Sequence, residues 1–364
     1  MSSSKPTFWF PSDEKPFLIS GPCSAESEEQ MMSTASELAK IGKVDMLRAG
    51  IWKPRTRPNS FEGKGSIALK WLKNAGNLTG LPTCCEVANA AHVEEALKVG
   101  IDALWIGARS SVSPFSVQEI ADALRGTEIP VMVKNPVNPD LSLWMGAIER
   151  LTAAGIKKIA AIHRGFTGFE KNNFRNPPMW EFPIELKIKM PEIPIICDPS
   201  HISGDKGLIF EISQKAMDLN MDGLMIESHS NPAEALSDAR QQLTPLELED
   251  LLQKLTVRKE AGSSGFQNHL EALRGTIDIL DEQIIEKIAS RMQISEKIGE
   301  YKKENNMTIL QLERWKKIIQ DRSTLGKSTG LNQDFILEML KLIHKESIRI
   351  QTEVMSKKGD GVEF

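Results

Sequence analysis

The sequence predicts an α/β fold class: a (β/α)8 TIM barrel followed by a C-terminal all-α domain of three helices that forms an intertwined dimer. Three observations support this prediction. Eight short apolar runs lie within the first 230 residues, helix-like stretches separate most of them, and the chain beyond residue 265 shows only helical periodicity. Strands and helices that alternate eight times are typical of this barrel, whose functional groups lie at the carboxyl ends of its strands.

The eight apolar runs are the predicted strands. They span residues 17–20, 46–47, 81–83, 103–106, 131–133, 159–162, 193–197 and 224–226. Polar residues that can carry chemistry follow them, namely Cys23, Arg48, Glu86, Arg109, Lys134, His163 with Arg164, His201 and Glu227. An open doubly wound sheet is the alternative architecture, and a set so rich in cations and acids favours a barrel mouth over it.

The helical periodicity between these runs predicts the outer layer of the barrel. Predicted helices span 29–41, 93–99, 117–124, 143–154 and 208–219, and a last one lies near 245–255. The segment after it, Arg258-Lys-Glu-Ala-Gly-Ser-Ser-Gly265, is small and polar enough for a flexible linker. We therefore predict a barrel over 1–257, a linker over 258–267 and a helical domain over 268–364.

The composition sets limits on the class of protein. A chain of 364 residues with 40% hydrophobic and 26% charged residues suits two ordinary globular domains. A net charge of −4 argues against nucleic acid as a partner. No apolar run approaches the ~20 residues of a membrane span, and the start lacks the apolar core of a signal peptide. The four cysteines, without C-x-x-C spacing, suit reduced thiols in a cytoplasm.

One long helix dominates the predicted C-terminal domain. Apolar residues recur every three or four positions from about 268 to 303, at Leu270, Leu273, Ile277, Leu280, Ile284, Ile288 and Met292. Such a helix is roughly 50 Å long at ~1.5 Å per residue, too long for the residues that follow to cover it. It should pair with a second copy in a homodimer; a plain coiled-coil tail is the alternative.

Two further helices follow the long one. They are predicted over 311–322 and over 332–355, with Gly326, Ser328 and Gly330 in the turn between them. Three helices of unequal length, the longest of them uncovered, favour an intertwined dimer.

Four residues at separate strand ends or loops are candidates for a metal site: Cys23, His201, Glu227 and Asp238. One thiolate, one imidazole and two carboxylates suit Mn²⁺, Fe²⁺, Zn²⁺ or Co²⁺ better than Ca²⁺ or Mg²⁺. The alternatives are a buried structural thiol at Cys23 and a solvated helix residue at Asp238.

The same mouth would gather many cations. They are Arg48, Lys53, Arg55, Arg109, Lys134 and Arg164. Cations crowded into one barrel repel each other unless anionic groups bind among them, and arginine suits phosphate and carboxylate oxygens. The sequence therefore predicts a substrate, or substrates, with several such groups.

Seven short motifs in order resemble those of the 3-deoxy-D-arabino-heptulosonate 7-phosphate (DAHP) synthases. The likeness covers roughly residues 15 to 250 and rests on these pieces: Gly21-Pro-Cys-Ser-Ala25, Arg48 followed by Lys53-Pro-Arg-Thr56, Ile106-Gly-Ala-Arg109, Val133-Lys-Asn135, His163-Arg-Gly165, Asp198-Pro-Ser-His201 and Ile226-Glu-Ser228. The Lys-Pro-Arg-Thr piece argues against another enzyme that condenses phosphoenolpyruvate with a sugar.

The resemblance implies an aldol-like condensation of phosphoenolpyruvate with erythrose 4-phosphate. It implies that Arg48, Lys53 and Lys134 face the phosphoenolpyruvate carboxylate and that Arg109 and Arg164 face its phosphate. Arg55 and Thr56 would hold the sugar phosphate, and Glu86 would position a water or assist proton transfer. One divalent metal ion on the four predicted ligands would polarise the aldehyde.

The long helix carries Arg274, Arg291 and Lys302. At ~100° per residue, Arg291 and Lys302 return to within about 20° of one face and can bracket one ligand. Arg274 lies roughly 26 Å away along the axis, so it can serve only a partner subunit's site. Ser347 and Gln351, four apart, share a face of the third helix.

This tail, from about Leu270 to Gln351, resembles the all-helical chorismate mutases. The likeness rests on Leu273-Arg274, Leu280-Asp-Glu282, Arg291, Ile298-Gly299 before Lys302, Arg314 and the Ser347/Gln351 pair. It implies that chorismate rearranges to prephenate without a cofactor. Lys302 and Gln351 would donate to the breaking ether, Arg291 and the partner's Arg274 would clamp carboxylates, and Arg314 would support the site.

Two departures from the chorismate mutase pattern leave an alternative open. Gln311 and Trp315 stand where acidic residues are common in that family. The tail would then be a non-catalytic metabolite sensor and dimerisation module. In either case, prephenate held by the tail would inhibit the barrel.

Overall fold

The structure, a computed structural model, describes residues 16–53, 61–168, 173–258 and 264–357, with side chains described from Leu270 onward in the last range. Eight strands form the first unit: β1 (Phe17–Gly21), β2 (Met46–Ala49), β3 (Thr83–Val87), β4 (Ala103–Ile106), β5 (Val131–Lys134), β6 (Ile159–His163), β7 (Ile195–Cys197) and β8 (Gly223–Glu227). They form a closed parallel barrel in chain order, in which β1 also pairs with β8. The predicted barrel is confirmed.

Helices surround the strands and continue into a second unit. In the barrel they are α1 (Glu28–Ile41), α2 (Ser66–Thr79), α3 (Ala90–Val99), α4 (Pro114–Ala123), α5 (Leu141–Ala153), α6 (Glu181–Lys189), α7 (Pro199–Ser203), α8 (Ile209–Asp218) and α9 (Pro245–Lys254). The second unit contains α10 (Ser264–Glu304), α11 (Leu312–Ser328) and α12 (Gln333–Ser356). The chain divides into these two compact units between Glu260 and Ala261.

Strand side chains alternate between the interior of the barrel and the layer under the helices. The barrel interior cluster consists of Phe17, Ile19, Met46, Cys84, Ala103, Trp105, Met132, Ala160, Ile162, Ile196 and Met225. The intervening residues, such as Leu18, Leu47 and Leu104, pack into the larger core shared with the helices. This alternation fixes which residues reach the mouth.

Several predicted boundaries need correction. The third strand begins at Thr83, where the predicted run ends, since Pro82 has no N–H for the ladder. Five of the residues expected after strands lie inside them, namely Arg48 in β2, Glu86 in β3, Lys134 in β5, His163 in β6 and Glu227 in β8. Three helices, α2, α6 and α7, have no counterpart among the predicted ones; α6 spans only nine residues, of which Pro183 and Leu186 are buried.

The helical unit also departs from prediction at two boundaries. Its first helix begins at Ser264, four positions before the predicted start, so the end of the predicted linker is helical. The second helix continues through Gly326 and Ser328, which were expected in the turn, and only Gly330 lies beyond it. A Cβ at Gly326 would lie 2.7 Å from Cγ1 of Ile336, so glycine here permits close packing of α11 on α12.

Apolar side chains line the exposed surface of α10. Leu273, Ile277, Leu280 and Ile284 are each more than half exposed, at 51–54%. Among the described residues of the helical unit, the buried hydrophobic side chains are Ile336 and Val354. One copy of the three helices thus encloses a very small core. No helix in the described part of the chain is long and apolar enough to cross a membrane.

Candidate active sites

Because side chains alternate along each strand, one set of polar side chains points into the barrel mouth. Each lies two positions beyond a residue of the barrel interior cluster, so it faces the same interior. The set is Arg48, Glu86, Lys134, Arg164, Asp198 and Glu227. The side chain of His163, one position after Ile162, points outward, and its ring centroid lies 5.3 Å from that of Trp180. The expectation that His163 belongs to the mouth is therefore wrong.

Three of the four predicted metal ligands lie together. Donor atoms of Cys23, Glu227 and Asp238 are all within 4.8 Å of one another. The fourth, His201, is not within that limit of all three, but its Nε2 lies 3.7 Å from Oε1 of Glu227. Burial and the nearby Glu227 raise the pKa of the Cys23 thiol to about 12.

Two residues that the sequence analysis missed hold the carboxylates in place. Arg175 Nη1 donates to Oδ1 of Asp238 at 3.0 Å and to Oε1 of Gln241 at 2.8 Å. Gln241 Nε2 in turn donates to Oε2 of Glu227 at 2.7 Å. Asp238 has a φ of 48°, a left-handed conformation that costs energy for a residue other than glycine. The Arg175 contact holds it there.

Arg48 is a buried cation with donors left over. Its Nη2 lies 3.3 Å from the carbonyl oxygen of Cys23 and 3.3 Å from Oε1 of Glu227, and its guanidinium lies 4.9 Å from the centre of the Trp105 ring. Its Nε and Nη1 are buried without a hydrogen-bond partner among the described residues. Buried donors are rarely left unpaired, so these two are available to a bound anion.

Two lysines add positive charge to the part of the mouth that holds Arg48 and Cys23. Lys53 Nζ donates to the carbonyl oxygen of Cys23 at 2.8 Å and lies 3.0 Å from its Sγ. Lys134 Nζ donates to Oδ2 of Asp198 at 2.8 Å, and both side chains are buried. Asp198 also accepts from Nδ1 of His201 at 2.9 Å when that nitrogen carries the proton. Although burial opposes it, these contacts hold the pKa of Asp198 well below its ordinary value.

Arginines form the other side. Arg164 Nη1 donates to Oδ1 of Asn176 at 2.7 Å, and the exposed Arg109 comes from the loop after β4. Burial, together with the charges of Arg175 and Arg109, lowers the pKa of Arg164 to about 10 against the opposing effect of Asp198. Cations held this close are stabilised by a bound anion.

Glu86 stands in the mouth with a fixed position. Trp105 Nε1 donates to its Oε2 at 3.0 Å. A Cβ at Gly107 would lie 2.1 Å from its Oε1, so only glycine leaves room for this carboxylate.

A second polar cluster lies between α10 and α12. Arg291 Nη1 donates to Oγ of Ser347 at 2.5 Å, and Lys302 Nζ donates to Oε1 of Gln351 at 3.0 Å. Lys302 also donates to the carbonyl oxygen of Ile309 at 2.5 Å. Lys302, Ser347 and Gln351 are buried. The structure therefore brings together four of the six predicted helical-site residues.

The other two predicted helical-site residues lie apart. Arg274 is 63% exposed on α10, with Glu271 at 3.6 Å. Arg314 is exposed on α11. Gln311, the N-cap residue of α11, lines a cavity of about 370 Å³ with Tyr301 and Lys302.

Comparison with known proteins identifies both units. Residues 7–262 match the DAHP synthetase I family. The chain belongs to the DAHP synthetase I family. It is 31% identical over 238 residues to phospho-2-dehydro-3-deoxyheptonate aldolase from Thermotoga maritima, which covers 65% of this chain and 68% of that relative. A crystal structure of that DAHP synthase aligns with a TM-score of 0.60 at 30% identity, covering 65% of this chain and 67% of the other.

The helical unit has its own match. Residues 273–352 match chorismate mutase type II. A bifunctional chorismate mutase/prephenate dehydratase from Buchnera aphidicola subsp. Acyrthosiphon pisum is 34% identical over 90 residues, covering 25% of this chain and 23% of that relative. The protein is thus a bifunctional shikimate-pathway enzyme with a DAHP synthase domain and a chorismate mutase domain. The predicted fusion is confirmed.

DAHP synthases generally use a divalent metal ion, and the residues of this mouth fit one. Oε1 of Glu227 is buried and accepts no hydrogen bond among the described residues, although Nη2 of Arg48 lies 3.3 Å from it, so it has capacity left for a metal ion. A thiol lies beside two carboxylates, with an imidazole nearby. Mixed sulfur, nitrogen and oxygen donors of this kind suit a transition metal ion.

The predicted residues of the mouth divide into three groups. Those that the structure brings together are Cys23, Arg48, Lys53, Glu86, Lys134, Arg164, His201, Glu227 and Asp238. Arg109 comes close from its loop, and Arg55 and Thr56 lie outside the described residues. The missed residues are Asp198, Arg175 and Gln241; strand alternation could have found Asp198, two positions after Ile196.

Proposed function

We propose that phosphoenolpyruvate binds in the barrel mouth between two groups of cations. Arg48, Lys53 and Lys134 would hold its carboxylate, and Arg109 and Arg164 its phosphate. The two unpaired donors of Arg48 carry this proposal, since each is free to donate to an oxygen of a bound anion. Erythrose 4-phosphate would lie nearby, with Arg55 and Thr56 on its phosphate.

The residues of the chain supply position and charge. Cations fixed by Asp198 and Asn176 need no rearrangement as charge moves, and holding two polyanions in register supplies the proximity effect. Glu86, fixed by Trp105, would position a water or assist proton transfer. A divalent ion held by Cys23, His201, Glu227 and Asp238 would supply Lewis-acid polarisation of the aldehyde.

Removal and return of metal tests the ligand set. We expect chelation to abolish heptulosonate phosphate synthesis and Mn²⁺, Fe²⁺, Zn²⁺ or Co²⁺ to restore it. Cys23→Ser should weaken metal binding in a competition titration, whereas Cys84→Ser, at a buried thiol of the barrel interior cluster, should leave it unchanged. Full activity of the chelated enzyme would refute the assignment.

We infer that the mutase site is assembled between two subunits of a homodimer. The exposed apolar side chains of α10, with a small core beneath them, support this arrangement. Arg291, Lys302, Ser347 and Gln351 would bind chorismate, with Arg274 from the partner and Arg314 at the edge. Clamping the dianion in a folded conformer and donating to its ether oxygen would accelerate the rearrangement.

Subunit complementation tests the shared site. As homodimers, Arg274→Ala and Arg291→Ala should each lower chorismate turnover about 100-fold. When the two variants are mixed and allowed to exchange subunits, each heterodimer has one site with both arginines, so turnover should recover. Failure to recover, with exchange verified by mass spectrometry, would contradict the arrangement.

Gln311 and Trp315, which stand where acidic residues are common in the mutases, favour a second role for the helical domain as a metabolite sensor. We propose that prephenate held by the helical domain inhibits the barrel through the predicted linker, residues 258–267. Deleting residues 260–364 should leave a barrel that synthesises heptulosonate phosphate but no longer responds to prephenate. Equal inhibition of the truncated and intact enzymes would refute this regulation.

A further inference from the structure

The helical site has an aromatic wall that its assigned role does not use. The rings of Trp315 on α11 and His344 on α12 are stacked, with centroids 3.9 Å apart and planes 10° from parallel. His344 precedes Ser347 by three residues and Gln351 by seven, so it lies on the same face of α12 as both. The pair therefore borders the polar cluster that holds Arg291 and Lys302.

The imidazole of His344 has an unused nitrogen. Its Nε2 is buried and has no hydrogen-bond partner among the described residues. The charged groups that act on it from α10 are Arg291 and Lys302, whereas α11 presents the uncharged Trp315 ring. On α12 itself, the nearby Glu346 is engaged by Arg349 at 2.9 Å. No carboxylate among these groups compensates a charge on His344.

Without a ligand, this environment favours the neutral imidazole. Burial first, and then the charges of Arg291 and Lys302, lower the pKa of His344. A bound dianion would place negative charge among the three groups and reverse the electrostatic part of this effect. An imidazolium also offers two N–H donors, where the neutral ring offers one.

We propose that His344 takes up a proton when a dicarboxylate anion binds beside Arg291 and Lys302, and so acts as a third, conditional cation of the helical site. This inference rests on the proposed binding of chorismate and prephenate there. Trp315 is a positioning residue, since its ring fixes the plane of the imidazole. Affinity for the dianion should then rise as the pH falls toward 6.

Calorimetry of the full-length enzyme tests this proposal. The probe is an unreactive cyclic dicarboxylate analogue of the rearranging chorismate, titrated at pH 6.5 in MES and in imidazole buffer, whose ionisation enthalpies differ. We expect wild type to take up a measurable fraction of a proton per site. Affinity should increase between pH 8 and pH 6 by up to about tenfold for each unit by which binding raises the pKa.

Substitutions assign the proton to His344. His344→Phe keeps a ring for the Trp315 stack, and His344→Gln serves if that variant fails to fold; both should abolish the uptake. His92→Phe is the matched control, because His92 also stacks on a tryptophan, Trp52, with ring centroids 3.8 Å apart, but in the barrel. It should retain the uptake.

The possible outcomes separate this inference from the proposed function. Saturable binding without proton uptake, or uptake that persists in both His344 variants, would overturn the role of His344 and leave the dianion site intact. Absence of saturable binding in wild type would refute the helical site itself, and the inference with it.

Discussion

Replacing Gly107 by alanine should displace Glu86 without removing any charged group from the barrel mouth. The added Cβ would lie 2.1 Å from Oε1 of Glu86, where a carbon and an oxygen normally stay more than 3 Å apart. The carboxylate must therefore retreat by about 1 Å or more. That shift also strains the 3.0 Å hydrogen bond from Trp105, a bond to a charged group that contributes about 1.5–3 kcal/mol.

Displacement of Glu86 should slow catalysis in the barrel without changing the helical site. A misplacement of about 1 Å can cost roughly 10²-fold in rate, so we expect kcat for heptulosonate phosphate to fall about 100-fold. The KM for phosphoenolpyruvate should change little, because the cations are untouched. Chorismate turnover by the same preparation should be unchanged.

A second glycine provides the control. A Cβ at Gly146, in α5, would have nothing within 4 Å, so Gly146→Ala should keep full activity and gain slightly in stability. Rates are measured by the consumption of phosphoenolpyruvate, and unfolding by denaturant titration. Wild-type kcat in Gly107→Ala would refute the argument that the position of Glu86 matters.

The remaining predictions concern stability. Burial and the charge of Arg164 lower the pKa of His163 to about 3. Below about pH 6.5, this histidine therefore binds a proton in the unfolded chain but stays neutral in the folded barrel, so the free energy of unfolding decreases as the pH falls from 6.5 toward 3. Between pH 7 and pH 5.5, the free energy of unfolding of His163→Phe should decrease by about 1 kcal/mol less than that of wild type, measured by denaturant titration. An unchanged pH dependence would contradict this. Gly326→Ala should cost the helical unit about 1–3 kcal/mol through the clash with Ile336, measured as a lower melting temperature of its helices, and no shift would refute the packing argument.

Local patterns predicted the strands and most of the mouth because both depend on short-range periodicity. Residues two positions apart in a strand face the same side, so Arg48, Glu86, Lys134 and Glu227 follow from the position of the apolar runs. The same rule corrects the expectation for His163. It stands at the end of a strand, but one position out of phase, and it is buried among aromatic rings.

Contacts between distant segments could not be predicted in this way. Cys23 and Asp238 are 215 positions apart in the chain, and their 3.3 Å contact depends on closure of the barrel. Arg175 and Gln241 carry no motif that marks them as supports of the carboxylates. Arg175 lies in a loop and Gln241 in a short 3-10 helix, and the path of both segments depends on the rest of the fold. The packing role of Gly326 likewise depends on Ile336 of another helix.

Chorismate turnover by the intact chain tests the central claim that both active sites work in one protein. Wild type should convert chorismate to prephenate, followed as the loss of chorismate absorbance. In Arg291→Ala this rate should fall about 100-fold, as expected when a residue that positions the substrate is removed, and heptulosonate phosphate synthesis should be retained. Absence of turnover in wild type, or equal turnover in the variant, would contradict the account.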